Sequence, residues 1–342
     1  MFRQITSSSQ SSLSRTDTTI ITTTIYMNKT AFQKKLAMLQ NEHRKLITRR
    51  NRKQTHGNGI FDRHDFPVLT AEHPPLSWRY DFNHASNPHL MTRLGINCAF
   101  NVGAMEWNGS IVLAARVEGW DRKSFFAIAE SKTGVDGFQF WDYPVQMPEL
   151  DAKETNLYDM RLVRHEDGWI YGLFCAERHD DSKPHDLSAA IARGGIARTK
   201  DLVKWERLPD LKTPALHQRN CVLHPEFVNG KYAFYTRPMN DFAATGSGDG
   251  VGWGLCDDIT NAVVKKESII DPRFYHTIKE GKNGDVFIYY GSSDTRTHVA
   301  TSTVDKLLDY VMNTPEDGMR SKICVEQRCK LIAGNLRTGA KR

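Results

Sequence analysis

Past residue 57 the apolar residues of this chain fall into short runs bounded by turn residues, the pattern of β-strands. Four runs open on the same small turn. Asn108-Gly109 leads into Ser110–Arg116, Asp167-Gly168 into Trp169–Phe174, Asn229-Gly230 into Lys231–Tyr235, and Asn283-Gly284 into Asp285–Tyr290. Each is followed by a second matching strand: Phe126–Ser131, Gly195–Thr199, Gly252–Cys256 and His298–Ser302. The glycines lie 59, 62 and 54 residues apart, and repeats of about 40–50 residues built from short strands signal a β-propeller. Lys200–Trp205 supplies the turn and tryptophan that commonly close a blade. The expected fold is therefore all-β, with four recognisable blade repeats over 57–303.

The ends read differently. Residues 1–26 are rich in Ser and Thr and poor in acids, the composition of a disordered extension. Arg3 and Arg15 give it a weak likeness to an organellar presequence, and an extension upstream of a start at Met27 is the preferred reading. Within 27–56, Phe32, Leu36, Leu39 and Leu46 recur at helical spacing and predict an amphipathic helix packed on the body or on another subunit, so a homo-oligomer is expected. Val304–Met312 turns helical again and opens a C-terminal helix and tail over 304–342.

Charge narrows the partners. The formal net charge of +6 comes largely from a cluster between Arg44 and Lys53, and the rest is nearly balanced, which speaks against nucleic acid. A solvated helix face explains the cluster better than an anionic partner does. No apolar run is long enough for a membrane span. None of the six cysteines forms a CxxC pair and none has zinc-site spacing with histidine, so no metal is expected and the thiols read as buried groups of a cytoplasmic protein.

Propellers bind ligands in the central channel, lined by the innermost strand of each blade. Polar residues at the ends of the apolar strands are the candidates: Arg116, Asp159, Arg161, Arg237 and Asp294. Several cations around one carboxylate suit an anion, because arginine presents a planar donor fork to phosphate. Glycosidases ordinarily need two carboxylates. A phosphorylase needs only the acid, since phosphate itself attacks the anomeric carbon. Asp159 among cations thus points toward phosphorolysis.

At these tracts the chain resembles glycoside hydrolase family 130. The resemblance rests on Trp78–Asp81, Arg116–Gly119, Asp121–Phe126, Asn156–Arg161, Phe174–Asp181, Gln218–Asn220, Leu223–Phe227, Tyr235–Pro238, Tyr275–Glu280 and Ser292–Arg296. It implies a five-bladed propeller and inverting phosphorolysis of β-1,4-mannosyl-glucose to α-D-mannose 1-phosphate and D-glucose, with phosphate as co-substrate and no cofactor. Asp159 matches the family's general acid, which delivers its proton through the mannose 3-hydroxyl. Arg116, Arg219, Arg237 and Lys282 match phosphate ligands, and Asp294 a mannose contact. By position, Asn97, Arg93 and Asp121 belong to the sugar subsites, whereas His224 and Tyr235 belong to the core.

The chain also departs from the family. There, the tract at Lys282-Asn283-Gly284 continues into a Gly- and Pro-rich turn and a further strand-rich segment with another histidine and more substrate contacts. Here Gly284 is followed at once by Asp285-Val286-Phe287. Two alternative readings follow: a mannoside-binding propeller without activity, and a β-mannoside hydrolase using Glu177 or Asp180 as the second carboxylate.

Overall fold

A computed structural model describes residues 15–186, 189–215, 217–239, 251–270, 278–280, 284–315 and 320–337. The long helix α1 (Arg15–Ile47) precedes strand β1 (Asp62–Arg63). Blade 1 is the antiparallel sheet β2 (Ile96–Trp107), β3 (Ser110–Gly119), β4 (Ser124–Ser131) and β5 (Gln139–Phe140). Blade 2 repeats the order with β6 (Glu154–Arg164), β7 (Ile170–His179), β8 (Ala190–Thr199) and β9 (Trp205–Leu211). The short strand β10 (His217–Gln218) leads to β11 (Val222–Leu223) and β12 (Tyr232–Thr236). Then come β13 (Pro238–Met239), β14 (Val251–Cys256) and β15 (Ser268–Ile270). Blade 3 has the order β11-β12-β14-β15, and β10 pairs with β13 beside it. Finally β16 (Ile278–Glu280), β17 (Asp285–Ser292) and β18 (Arg296–Thr303) build blade 4, whose outermost position is taken by β1. Helices α2 (Val304–Asn313) and α3 (Ser321–Arg337) follow.

The repeat read from the turns is the repeat of the sheets. Asn108-Gly109 and Asn229-Gly230 have positive φ at both residues (49° and 74°, 54° and 74°), the backbone of a two-residue hairpin turn matched to strand twist. The described residues hold four four-stranded sheets, where the family resemblance implies five blades. Only four residues separate Glu280 from Asp285, where the family resemblance implies a further strand-rich segment.

Alternation along the strands explains why they are apolar on both faces. In β3, Ile111, Leu113, Ala115 and Val117 point into a core shared with Tyr289 and Val299 of blade 4. Val112 and Ala114 point the other way, into a core shared with Met160 and Phe174 of blade 2. A third core joins blades 2 and 3 through Leu173, Ile196, Phe234 and Cys256. Among the described residues no such core joins blade 3 to blade 4. Among the described residues the shared cores thus make three seams: blade 4 to 1, blade 1 to 2 and blade 2 to 3.

Helix α1 starts at Arg15, inside the stretch 1–26 expected to be disordered. Extending an existing helix costs far less than nucleating one, so the amphipathic part can carry the Thr-rich part with it. Its inward side is the expected one: Phe32 is buried, with its ring edge-on to His84 at 5.2 Å, and Leu36, Leu39 and Leu46 are half-buried. No helix among the described residues is long and apolar enough to cross a membrane.

Candidate active site

The inner strands of blades 1 and 2 carry the same irregularity. In β2, Phe100 faces Arg116 and pairing resumes at Gly103 with Ala114. In β6, Tyr158 faces Cys175 and pairing resumes at Arg161 with Leu173. At this break each strand holds one extra residue, a β-bulge that turns a side chain out of the sheet, and each has a second register shift nearer its start. The residue just after the break is left-handed in both, Asn101 at φ 47° and Asp159 at φ 60°. Asn220, two residues before β11, repeats the conformation in blade 3 (φ 54°). Asn and Asp tolerate this region better than other side chains with a Cβ.

These bulges aim Asn101 and Asp159 at each other. Asn101 Nδ2 donates to both carboxylate oxygens of Asp159, at 3.2 Å each. Arg116 Nη1 lies 3.3 Å from Asp159 Oδ1, and its Nη2 donates to Glu118 Oε2 at 2.9 Å. The guanidinium carbon is 4.7 Å from the ring centres of both Phe100 and Tyr158, within cation–π range of each. Burial opposes the charge on Arg116, but pairing with Asp159 and Glu118 outweighs it and raises its pKa.

Glu118 is a second buried carboxylate beside the acid, and its place is structural. It accepts from Arg116, from Arg122 Nε at 3.1 Å and from Asn97 Nδ2 at 3.0 Å. Three donors on one carboxylate fix the guanidinium between them. Arg161 donates through Nη1 to the carbonyls of Asn101, Asp159 and Met160 at 3.3–3.5 Å, tying the two bulges together from behind. Desolvation lowers its pKa. Gly103 is required by the same junction: a Cβ there would lie 2.6 Å from the Met160 carbonyl oxygen and 2.7 Å from the Leu162 nitrogen.

The remaining candidates occupy varied places. Arg219 exerts its charge on Tyr158 and Cys175, next to Asp159 in blade 2. Arg237 is exposed, and its backbone N–H donates to Gln218 Oε1 at 3.0 Å. Asp294 is left-handed (φ 48°) in the β17–β18 turn, and its charge contributes to the raised pKa of the buried Cys98 thiol. Asp121 caps its own turn by accepting from the Lys123 N–H at 3.1 Å, and Arg93 Nη2 donates to the Ser86 carbonyl at 2.8 Å. Lys282 lies outside the described residues. His224 and Tyr235 are half-buried around Trp253, at 6.1 and 4.9 Å from its ring.

Asp180, one of two carboxylates considered for hydrolysis, is spent on a local turn: it accepts from Ser182 N and Oγ at 3.0 and 2.6 Å, which lowers its pKa. Among the described residues no group of three or more His, Cys, Asp or Glu could hold a metal ion. Cys98, Cys175, Cys221 and Cys256 are buried free thiols. Burial pushes the first three up to about 11, 12 and 12, so they are poor nucleophiles.

Sequence reasoning missed Asn101 and Glu118. The signal for Asn101 was available: Phe100-Asn101-Val102, Tyr158-Asp159-Met160 and Arg219-Asn220-Cys221 are the same step of three successive inner strands.

No protein-family model matches the chain. Among solved structures it resembles a β-1,2-mannobiose phosphorylase from Listeria innocua, with 15% identity and TM-score 0.47 over 77% of this chain and 99% of that one. A second is described within the GH130 family of mannoside phosphorylases that contains hydrolases of β-1,2 linkages in Candida mannan (16% identity, TM-score 0.46, 74% and 97% covered). In sequence it is 48% identical over 385 residues to 4-O-β-D-mannosyl-D-glucose phosphorylase of Bacteroides fragilis, covering 90% of this chain and 98% of that protein. The chain belongs to glycoside hydrolase family 130. The alignment with that family 130 relative is longer than the matched part of this chain. Nine-tenths of 342 residues is about 310, so some 75 of the 385 positions face a gap here. Taken together, those positions outnumber the residues of blade 1, which runs from Ile96 to Phe140.

Proposed function

We propose that this chain catalyses inverting phosphorolysis of β-1,4-mannosyl-glucose. A phosphate oxygen attacks C1 of the mannosyl unit, the bond from C1 to O4 of glucose breaks, and a proton from Asp159, relayed by the mannose 3-hydroxyl, reaches O4. The products are α-D-mannose 1-phosphate and D-glucose. The observation that carries the reading is the Asp159 carboxylate held by Asn101 and bordered by Arg116. In this scheme Arg116, Arg219, Arg237 and Lys282 receive phosphate, while Asn97, Arg93, Asp121 and Asp294 contact the sugar. Glu118, with three donors around it, is occupied in holding Arg116, which favours phosphate over an activated water as nucleophile. The protein needs no cofactor in this reaction, works in the cytoplasm and associates through α1 as a homo-oligomer.

Purified protein incubated with Man-β-1,4-Glc should release mannose 1-phosphate only when inorganic phosphate is supplied. Glucose release without phosphate would sink the proposal in favour of hydrolysis. The short passage from Gly284 straight into Asp285-Val286-Phe287, where the family resemblance implies a further segment, favours a second reading, a mannoside-binding propeller without turnover. Saturable disaccharide binding with no phosphorolysis would select it.

A further inference from the structure

Trp120 is a large aromatic side chain left on the surface, 67% exposed, in the turn whose Arg122 pairs with Glu118. It is nonetheless fixed. A Cβ built on Gly95 would fall 1.8–2.4 Å from Cδ2, Cε2 and Cε3 of the indole, so one face of the ring lies flat on the Gly95 backbone. The backbone N–H of Trp120 donates to the Gly95 carbonyl at 3.1 Å. The turn that carries it is closed by Gly119 N–H to Lys123 O and Arg122 N–H to Gly119 O, both 3.0 Å, and is tied to blade 2 by Lys123 Nζ donating to Thr155 O at 3.0 Å. Leu94, next to Gly95, is 71% exposed and extends the apolar lip.

The position relative to the acid follows from the contacts of the turn. Arg116 and Glu118 share the face of β3 that looks toward blade 2 and Asp159. Trp120 follows in the turn after β3, and Arg122 of the same turn bridges back to Glu118. Through Arg122, Glu118 and Arg116 the turn is linked to Asp159, which suits one sugar ring at the acid and the next at the indole. The C–H face of a pyranose is apolar while its rim is polar, so a fixed indole with one open face and charged neighbours is matched to it.

We propose that Trp120 is the stacking platform for the reducing-end pyranose, the unit that leaves in the reaction proposed above. The inference rests on that reading for its assignment of the leaving unit. Trp120→Ala should raise KM for Man-β-1,4-Glc and, in the synthetic direction, for glucose by about tenfold. KM for phosphate and for mannose 1-phosphate should stay unchanged, and Trp120→Phe should recover most of the loss. Equal KM values for the wild type and Trp120→Ala would overturn it, as would a loss spread over all four substrates. Should the wild type bind but not turn over, saturation-transfer NMR with Man-β-1,4-Glc separates the two ideas. Glucosyl protons saturated in the wild type and lost in Trp120→Ala support the platform even as the phosphorylase reading fails; no difference rejects the platform.

Discussion

Asn101 and Asp159 occupy equivalent bulges of neighbouring blades, both left-handed, and the amide of one spans both oxygens of the other. The acid is therefore aimed from its own strand and held from the strand beside it. Asp159→Asn keeps the shape and a hydrogen bond to Asn101 but has no proton to give. It should lower kcat by about 10²–10⁴-fold, the usual contribution of a general acid, while disaccharide binding measured by calorimetry persists.

Gly103 tests whether the distance between those strands matters. The methyl group of Gly103→Ala would meet backbone, not a flexible side chain, so blade 1 must move away from blade 2. A destabilisation of about 1–3 kcal/mol in denaturant unfolding is expected. Because the shift parts Asn101 from Asp159, kcat should drop as well, even under conditions where the variant is fully folded.

A buried ion network in blade 2 behaves in the opposite way. Arg207 Nη2 contacts Glu154 Oε1 at 2.7 Å and Asp210 Oδ1 at 2.6 Å, and Arg178 joins through Asp210 at 3.3 Å. Removing one partner leaves buried charge unpaired. Arg207→Met should cost about 3–5 kcal/mol of stability and leave KM and kcat of the folded fraction untouched.

Acid should weaken the packing of α1. His73 is buried, and desolvation, helped by Arg49 and His43, lowers its pKa from 6.5 to about 3. Between those values the unfolded chain binds a proton that the folded one refuses. The contribution is whole above pH 6.5 and is lost at up to about 1.4 kcal/mol per pH unit as pH falls toward 3. His64 and His298, also lowered mainly by burial, add in the same direction. Melting temperature should fall steadily from pH 7 to pH 5, and less steeply in His73→Gln.

The distribution of shared cores predicts uneven stability. Among the described residues, blades 1 and 2 have shared cores on both sides, whereas blades 3 and 4 each have one. In hydrogen exchange, amides of β12 and β14 should open before those of β3 and β7. Inserting a strand-rich segment between Glu280 and Asp285, where the family resemblance implies one, should slow that exchange and raise the melting temperature; no change would show that blades 3 and 4 need no added cover.

The blades were legible because each announces itself locally, through an Asn-Gly or Asp-Gly turn and a strand apolar on both faces. Asp159 and Arg116 were legible as charges set into such strands. Asn101 was not, since an uncharged amide in an apolar run looks like a minor irregularity until the bulge in β2 aligns it with the one in β6. Glu118 was hidden for another reason. Its role depends on Arg116, Arg122 and Asn97 converging on it, and Asn97 reaches it only through the pairing of β2 with β3. Helix α1 extends back to Arg15 because propagation from a formed helix needs no new nucleus, even through Thr, a poor helix former.

Blade 4 is completed by β1, with Asp62 opposite Thr301 and Arg63 opposite Ala300. During synthesis β1 leaves the ribosome early and waits through blades 1, 2 and 3 for its partner. Until β18 emerges, blade 4 has neither its outer strand nor its seam with blade 1. Domains fold as units during synthesis, so the last step here is a clasp between the two ends of the propeller. A ribosome stalled before codon 296 would hold a chain with most of its sheets and no way to fasten them.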